Sequence, residues 1–153
     1  MSEKSVIILR GPSGSGKSTY SKNFPDAVVV SADNFFLRFN PETQQKQYVF
    51  DPTKLGEAHA KCLCRFIDAI RDNVKCIIVD NTNIHKWEYQ SYSKIAEQAG
   101  YKVKIVQFKP KTIRDIRTCI QRTIHRVPSE IIARMCIEFE DDLDLVWEDK
   151  KIS

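Results

Sequence analysis

Residues 10–19 read RGPSGSGKST, and the stretch from Gly11 to Ser18 matches the pattern G-x-x-x-x-G-K-[ST]. An apolar run, SVIIL at residues 5–9, comes directly before it, and a helix-forming segment follows it. Glycines let the backbone curl so that successive N–H groups, together with the helix N-terminus, face a bound anion. The sequence therefore predicts a P-loop that holds the phosphates of a nucleotide.

Two side chains of this loop have distinct expected roles. Lys17 is expected to reach the β- and γ-phosphates of ATP, and the Ser18 hydroxyl is expected to ligate Mg²⁺. A glycine turn without function would leave the Lys-Ser pair unexplained. The predicted ATP-binding residues are Gly11, Ser13, Gly14, Ser15, Gly16, Lys17, Ser18, Thr19 and, from a segment discussed below, Arg122.

Short apolar runs alternate with segments of helical period along the rest of the chain. The predicted strands lie at residues 5–9, 27–31, 75–79 and 102–108, and the first three are continuous and β-branched, as in strands buried on both faces. The predicted helices lie at 17–23, 54–71, 87–99, 113–123 and 129 to about 143, with Thr53 as the cap of the second. This alternation predicts an α/β fold, a three-layer, doubly wound parallel sheet. The glycine loop after its first strand makes the expected fold one of the P-loop kinase type.

The length of 153 residues favours a single domain spanning 1–153. Within it we predict a short helical lid at about 122–128, a flap loop at about 39–52 and an acidic C-terminal tail at about 138–153. No apolar run approaches the about 20 residues that span a bilayer, so no membrane association is expected. Five scattered cysteines indicate reduced thiols, which favours an intracellular location, cytoplasmic or nuclear.

Charge is distributed unevenly in the last third of the chain. Residues 102–126 contain eight Lys or Arg and one acid, whereas residues 127–153 contain three bases and eight acids. A basic segment can attract a polyanion such as nucleic acid. A solvated lid and helix face explains the same charges nearly as well. The acidic tail is expected to be a solvated helix end, unless Leu143, Val146 and Trp147 fold back or meet a partner.

Two carboxylates follow predicted strands, Asp33 after the second and Asp80 after the third. In an open parallel sheet, ligands bind beyond the carboxyl ends of the strands, so both are expected beside the P-loop. Asp80 is expected to organise Mg²⁺. Asp33 is expected to act as the base that accepts the proton of an attacking hydroxyl, although a cap of the following helix is the alternative.

Besides the P-loop and the carboxylates, phosphoryl transfer usually requires a cation close to the transferring phosphate. Arg122 and Arg126 lie four residues apart, before Pro128, in the predicted lid. Arginines there can neutralise charge on the γ-phosphate or stack on adenine. Two solvated surface arginines are the alternative.

The motifs GPSGSGKST, SADNFF, DNTN and RTIHR together resemble the polynucleotide 5′-hydroxyl kinase family. LGEAH at residues 55–59, and DNTN at 80–83 followed by Trp87 and Glu88, resemble even more the small predicted kinases called Nedd-four-binding-protein-two-like. The resemblance covers nearly the whole chain. It implies ATP and Mg²⁺ as cofactors, Lys17, Asp33 and Arg126 as catalytic residues, and a nucleic-acid 5′ end as partner.

The resemblance also implies substrate contacts, with Asp80 on the acceptor side. One position departs from the family pattern: Phe36 stands where the bacteriophage enzyme has an arginine for its acceptor nucleotide, and the nearest arginine is Arg38. Arg38, Asn83 and His59 complete the predicted substrate-binding residues. A small-metabolite kinase and an ATP-binding module without phosphotransfer are the alternative functions, and the sequence does not indicate an oligomeric state.

Overall fold

The order of elements in a computed structural model, which describes residues 3–123, 126–144 and 146–153, follows the predicted alternation of strands and helices. Three short 3₁₀ helices, Ala32–Phe36, Pro52–Lys54 and Lys86–Glu88, join the main elements. The strands and helices are β1 (Ser5–Arg10), α1 (Lys17–Ser21), β2 (Val28–Val30), β3 (Leu37–Asn40), β4 (Gln45–Tyr48), α2 (Leu55–Arg71), β5 (Cys76–Asp80), α3 (Gln90–Gln98), β6 (Lys102–Gln107), α4 (Ile113–Thr123), α5 (Ser129–Glu138) and β7 (Val146–Asp149).

Five parallel strands form the main sheet in the order β2-β5-β1-β6-β7. The strand β1 lies in the middle, with Ile7 opposite Ile78 of β5 and Lys104 of β6. Because β1 runs directly into Gly11, the glycine loop leaves the sheet at its centre. The carboxyl ends of β2 and β5 lie on the same edge, as parallel strands require.

Alternate side chains of β1 pack on opposite layers of helices. Val6 and Ile8 belong to a core with α2 and α3, whereas Ile7 and Leu9 belong to a core with α4 and α5. The sheet is therefore covered on both faces, which explains why its inner strands are apolar without alternation. The predicted three-layer α/β fold of the P-loop kinase type is confirmed.

The acidic tail is not a helix end, which corrects the prediction for residues 138–153. Its segment β7 adds a fifth strand beside β6, with a bulge in the register between Ile105 and Val106. Ion pairs connect it to the basic segment, with 2.7 Å between Lys111 and Asp149 and a shorter contact between Lys109 and Asp141. The tail thus neutralises part of the basic segment, and Ile152, only 9% exposed, joins the core.

The predicted flap loop also has regular structure. Residues 37–48 form an antiparallel hairpin of β3 and β4, in which Leu37 pairs with Tyr48 and Asn40 with Gln45. Gln44 has a φ of 56° at the turn. The polar composition concealed this hairpin because most of its side chains face solvent, so they lack the apolar alternation of a half-buried strand.

Helix boundaries differ from the predicted ones at several ends. Asp51, not Thr53, caps the start of the second helical segment, because its carboxylate accepts from the Thr53 N–H at 3.0 Å. The last helix stops at Glu138, and Leu143 is 92% exposed. In the described part of the chain, none of the helices has the length and apolar character needed to cross a bilayer.

Candidate functional site

The glycine loop has a backbone that only glycine adopts without strain. Gly14 and Gly16 have φ angles of 82° and 111°, in the left-handed region. A Cβ at Gly14 would stand 2.7 Å from the Cys119 carbonyl oxygen of α4, and one at Gly11 would stand 2.5 Å from Ser15 Oγ. The two contacts show that the loop is closely packed against its own residues and against α4.

Lys17 begins α1 and folds back over the loop. Its Nζ donates to the carbonyl oxygens of Gly11 at 2.8 Å and Pro12 at 3.0 Å, and only 7% of the residue is exposed. Burial lowers the pKa of the Lys17 amine, and the charges of Asp80 and Asp33 oppose that shift. An ammonium with only carbonyl partners has a strong tendency to exchange them for phosphate oxygens.

Ser18 and Asp80 face each other across the end of the sheet. The Ser18 hydroxyl donates to Asp80 Oδ2 at 3.1 Å, and Asp80 is 9% exposed. Burial raises the pKa of the Asp80 carboxyl, against the opposite influence of Lys17 and of the Ser18 hydrogen bond. A hydroxyl and a carboxylate are hard oxygen donors, which fit Mg²⁺, and these two residues would hold it.

Asp33 lies in the first turn of the 3₁₀ helix that follows β2. The cap of this helix is Ser31, whose hydroxyl accepts from the Asp33 N–H at 3.2 Å. The Asn81 side chain accepts from the Ala32 N–H at 2.8 Å and so ties this turn to the end of β5. The capping role considered for the Asp33 side chain is therefore taken by Ser31, and the carboxylate is available for other contacts.

A cavity of about 440 Å³, which we call the carboxylate cavity, brings these groups together. It is lined by Lys17, Ser18, Asp33, Asp80 and Arg126, among others. The cavity joins two carboxylates, an ammonium and the two guanidinium groups of Arg122 and Arg126 around one space. Such a space can hold a phosphoryl group between a cationic side and a side that accepts protons.

A second cavity, which we call the loop cavity, lies on the outer side of the P-loop and has a volume of about 620 Å³. Residues 14–20 line it, together with Asn23, Phe108 and Arg122. Arg122 donates to the Gly14 carbonyl oxygen at 3.0 Å, which connects α4 to the loop. Apolar rings and a guanidinium at this position can hold the base and ribose of a nucleotide.

The predicted ATP-binding residues lie along both cavities. The residues that line the loop cavity are Gly14, Ser15, Gly16, Lys17, Ser18, Thr19 and Arg122. Four of them, Gly14, Lys17, Ser18 and Arg122, also line the carboxylate cavity, together with Ser13. Gly11 lies behind the loop against Phe108. The Ser15 hydroxyl is buried and has no hydrogen-bond partner among the described residues. Of the predicted lid at 122–128, residues 124 and 125 lie outside the described residues.

Three predicted substrate-binding residues do not line the carboxylate cavity. Asn83 is 1% exposed with a φ of 49°, and its amide donates to the Leu9 carbonyl oxygen at 2.8 Å, so it supports the loop from below. Arg38 donates to the carbonyl oxygens of Leu37, in its own strand, and of Phe35, in the preceding 3₁₀ helix. His59 lines a separate cavity of about 240 Å³ beside Trp87.

Arg10, the residue before the loop, is fully buried and was missed by sequence reasoning. Its guanidinium donates to the carbonyl oxygens of Asn83 and Ile84, each at 2.8 Å, and to that of Glu140. The rings of Tyr89 and Phe139 lie over it, 4.9 and 4.6 Å from its centre. Arg10 thus fixes the base of the P-loop to the segment that follows β5.

Tyr48 is a second residue missed as a member of the site. Its hydroxyl donates to Asp33 Oδ1 at 3.4 Å, and the Arg126 guanidinium lies 4.2 Å from the centre of its ring. The chain separates Tyr48 from Asp33 by 15 residues and from Arg126 by 78, and no motif joins them. The aromatic composition of the flap was the only indication in the sequence.

A family model described as an AAA domain matches residues 6–138. The chain belongs to this family. Human NEDD4-binding protein 2 is 34% identical over 145 residues, which cover 88% of this chain but only 8% of that protein. The chain therefore corresponds to a small part of that relative. This match and the family model support the P-loop kinase-like family that the motifs indicated.

Solved structures share the fold at low sequence identity. A chain of the Pnkp1/Rnl/Hen1 RNA repair complex superposes with a TM-score of 0.65 and 17% identity, over 91% of this chain and 45% of that one. The Mycobacterium tuberculosis APS kinase CysC, solved with AMPPNP and APS, gives 0.59 and 14%, over 99% and 90%. The AAA-domain chain thus has the fold of P-loop kinases, and these likenesses indicate the fold alone.

Proposed function

We propose that this protein is an ATP-dependent phosphotransferase that transfers the γ-phosphate of ATP to an alcohol, the 5′-hydroxyl of a polynucleotide. The observation that carries the proposal is the position of Asp33 in the same cavity as Lys17, Ser18 and Asp80. A P-loop alone would be consistent with nucleotide binding only. A second carboxylate facing the loop, and not used as a helix cap, supports proton abstraction from an acceptor.

In the proposed reaction, the acceptor oxygen forms a bond to the γ-phosphorus while the bond from that phosphorus to the β,γ-bridging oxygen breaks. ADP leaves with the electron pair, and the proton of the alcohol passes to the Asp33 carboxylate. Lys17 donates to the phosphate oxygens in exchange for its carbonyl partners. Arg126 neutralises charge on the transferring group from the other wall of the cavity.

Ser18 and Asp80 are the proposed Mg²⁺ ligands. When bound, the ion would neutralise charge that develops on the phosphate oxygens. The hydrogen bond from Ser18 to Asp80 holds the two oxygen donors in place, so little rearrangement is needed on loading. Asp80 also borders the acceptor side of the carboxylate cavity, beside Asn81 and Thr82.

A polynucleotide is the favoured acceptor because of the combined motifs and because of the wall opposite the P-loop. Leu37 and Tyr48 of the hairpin line the carboxylate cavity, and the adjoining hairpin surface exposes Phe39 (65%) and Phe50 (47%). Bases of single strands stack on such rings, with a contribution of about 1–3 kcal/mol per base. The hairpin therefore supplies the kind of surface that a nucleic-acid end requires.

A small-metabolite kinase is the second candidate, and one observation favours it. Arg38, the nearest arginine to the position used for the acceptor nucleotide in the resembling family, donates to nearby backbone carbonyls and does not line the cavity. A compact alcohol would not need that cation. The chemistry at Asp33 and Lys17 is the same for both candidates.

The test uses labelled ATP, Mg²⁺ and either a 5′-hydroxyl oligonucleotide or a pool of small alcohols. We expect label on the oligonucleotide, and Asp33→Asn should retain ATP affinity but lose about 10²-fold or more in rate, the usual contribution of a positioned base. Asp72→Asn, an exposed carboxylate at the end of α2, is the matched control. Label only on a metabolite supports the second candidate, and ATP binding without turnover rejects phosphotransfer.

A further inference from the structure

We propose that Tyr48 is a positioning residue that occupies the place of the acceptor alcohol until the acceptor arrives. Its hydroxyl holds the Asp33 carboxylate and its ring holds the Arg126 guanidinium. Binding of the acceptor displaces the Tyr48 hydroxyl from Asp33 and draws Arg126 away from the ring, so both groups become free together. The inference rests on the proposed function and concerns how transfer is favoured over hydrolysis of ATP.

The first observation is the contact of a phenol with the proposed base. Tyr48 donates its O–H to Asp33 Oδ1 at 3.4 Å, which is the kind of contact that an acceptor hydroxyl would make. Strong O–H···O bonds are about 2.5–3.0 Å long, so this one is weak and easily exchanged. Burial and the charge of Asp33 raise the pKa of the Tyr48 hydroxyl, so it remains a donor at neutral pH.

The second observation is the position of the lid arginine. Arg126 is exposed, and its guanidinium lies 4.2 Å from the centre of the Tyr48 ring. Two other rings hold the Tyr48 ring in place. It stacks parallel to Phe50 with 6.4 Å between ring centres, and it meets the buried Phe36 edge-on at 6.1 Å. Arg126 is therefore held against the hairpin wall by a cation–π contact.

Together, the two contacts disfavour reaction with water. Without an acceptor, Oδ1 of Asp33 accepts from the Tyr48 phenol, and Arg126 lies against the Tyr48 ring. A water molecule must compete with the phenol for Asp33, and it offers no aromatic face that would draw Arg126 away from the ring. A nucleoside acceptor brings an alcohol for Asp33 and a base that can stack on Arg126 or on Tyr48.

The same site hydrolyses ATP when water replaces the alcohol. The water oxygen then bonds to the γ-phosphorus, the bond to the bridging oxygen breaks, and a proton of the water passes to Asp33. Products are ADP and inorganic phosphate. Freeing the carboxylate without adding an acceptor should therefore raise hydrolysis, and this is the effect that distinguishes Tyr48 from a residue that only supports the hairpin.

The experiment compares ATP hydrolysis without acceptor and labelling of a 5′-hydroxyl oligonucleotide in the wild type, Tyr48→Phe and Tyr48→Leu. Tyr48→Phe keeps the ring and removes the hydroxyl, and the ratio of hydrolysis to transfer should rise at least about threefold, in keeping with the loss of one weak hydrogen bond to a charged group. Tyr48→Leu also releases Arg126, so hydrolysis should rise further and the KM for the oligonucleotide should increase.

Tyr101→Phe is the matched control, because it removes a hydroxyl that donates to the Val74 carbonyl oxygen, away from both cavities. It should leave the ratio of hydrolysis to transfer unchanged. If the wild type labels the oligonucleotide but Tyr48→Phe keeps the wild-type ratio of hydrolysis to transfer, the role of Tyr48 is rejected alone. If the wild type labels no alcohol, the proposed function fails, and the inference fails with it.

Discussion

The two walls of the carboxylate cavity are built in different ways. On the P-loop wall, Arg10 is fully buried and Lys17 is 7% exposed, and both are held by several backbone carbonyls. On the opposite wall, Asp33 and Arg126 are exposed, and Tyr48 contacts both of them. The phosphate side is rigid before any ligand binds, whereas the acceptor side is connected by contacts that exchange easily.

This difference has a physical origin in the sheet. The P-loop continues from β1, which has a paired strand on each side, so displacing the loop would disturb the centre of the fold. The hairpin of β3 and β4 forms a separate two-stranded sheet, and Val49 donates to the Phe36 carbonyl oxygen where it returns to the main body. Elements with few buried contacts open at low free-energy cost, which suits the side that must admit different acceptors.

The largest expected effect belongs to the rigid wall. Lys17→Ala should lower turnover by about 10²–10³-fold, because a buried cation aimed at the phosphates is lost and the loop cannot replace it. Lys22→Ala, at the exposed end of α1, is the control and should leave turnover unchanged. Steady-state rates with labelled ATP provide the measurement. Near-wild-type turnover of Lys17→Ala would contradict the assignment of this wall to the phosphates.

An effect of intermediate size on turnover should distinguish Arg126 from Arg122. Arg126→Ala should lower turnover at least about tenfold with little change in ATP affinity, because its charge acts on the transferring group. Arg122→Ala should mainly weaken ATP binding, because Arg122 contacts Gly14 and lines the loop cavity. Rates and equilibrium binding of ATP, measured on both variants, test the contrast. Equal losses of rate and affinity in Arg126→Ala would indicate a contact with adenine instead.

The smallest expected effect is on the free energy of unfolding, and it concerns Asp80 beside the P-loop. Because burial raises the pKa of Asp80 above 3.8, the folded protein binds this proton more tightly than the unfolded chain does. The charged carboxylate therefore lowers the free energy of unfolding at neutral pH, and this cost disappears as the pH falls through the raised pKa. Asp80→Asn should be more stable than the wild type at pH 7, and the advantage should shrink toward pH 4.

Urea unfolding at both pH values measures this difference, and the exposed Asp26→Asn serves as the control. A gain in stability together with a loss of turnover is typical of a residue kept for function at the expense of the fold. If Asp80→Asn were less stable than the wild type at pH 7, the attraction between Asp80 and Lys17 would outweigh the burial of the carboxylate.

Local sequence predicted those features of the fold and site whose physical cause lies within a single segment. Short motifs and apolar runs were enough to predict the P-loop, the buried strands and the positions of Asp33 and Asp80 at strand ends. The sequence did not reveal where the Asn83 and His59 side chains point, because a motif gives the order of residues but not the direction of each side chain. Asn83 points below the loop to Leu9, and His59 faces a different cavity.

Pairings between distant segments were beyond the reach of local patterns. The acidic tail forms β7 because the edge of β6 has unpaired backbone groups and Lys111 is available for Asp149. Tyr48 joins the site because the hairpin folds it over Asp33. Each of these outcomes depends on which segments the fold brings together, since hydrogen bonds and ion pairs form between neighbours in space.

The phosphate-binding loop and the α/β class of the fold follow from the amino-acid sequence alone, because glycine conformation and apolar periodicity are local properties of the chain. Only the tertiary structure decided how the acceptor wall is assembled, with Tyr48 between Asp33 and Arg126. That wall combines residues from three separate segments, and their contacts exist only after the sheet and its helices have packed.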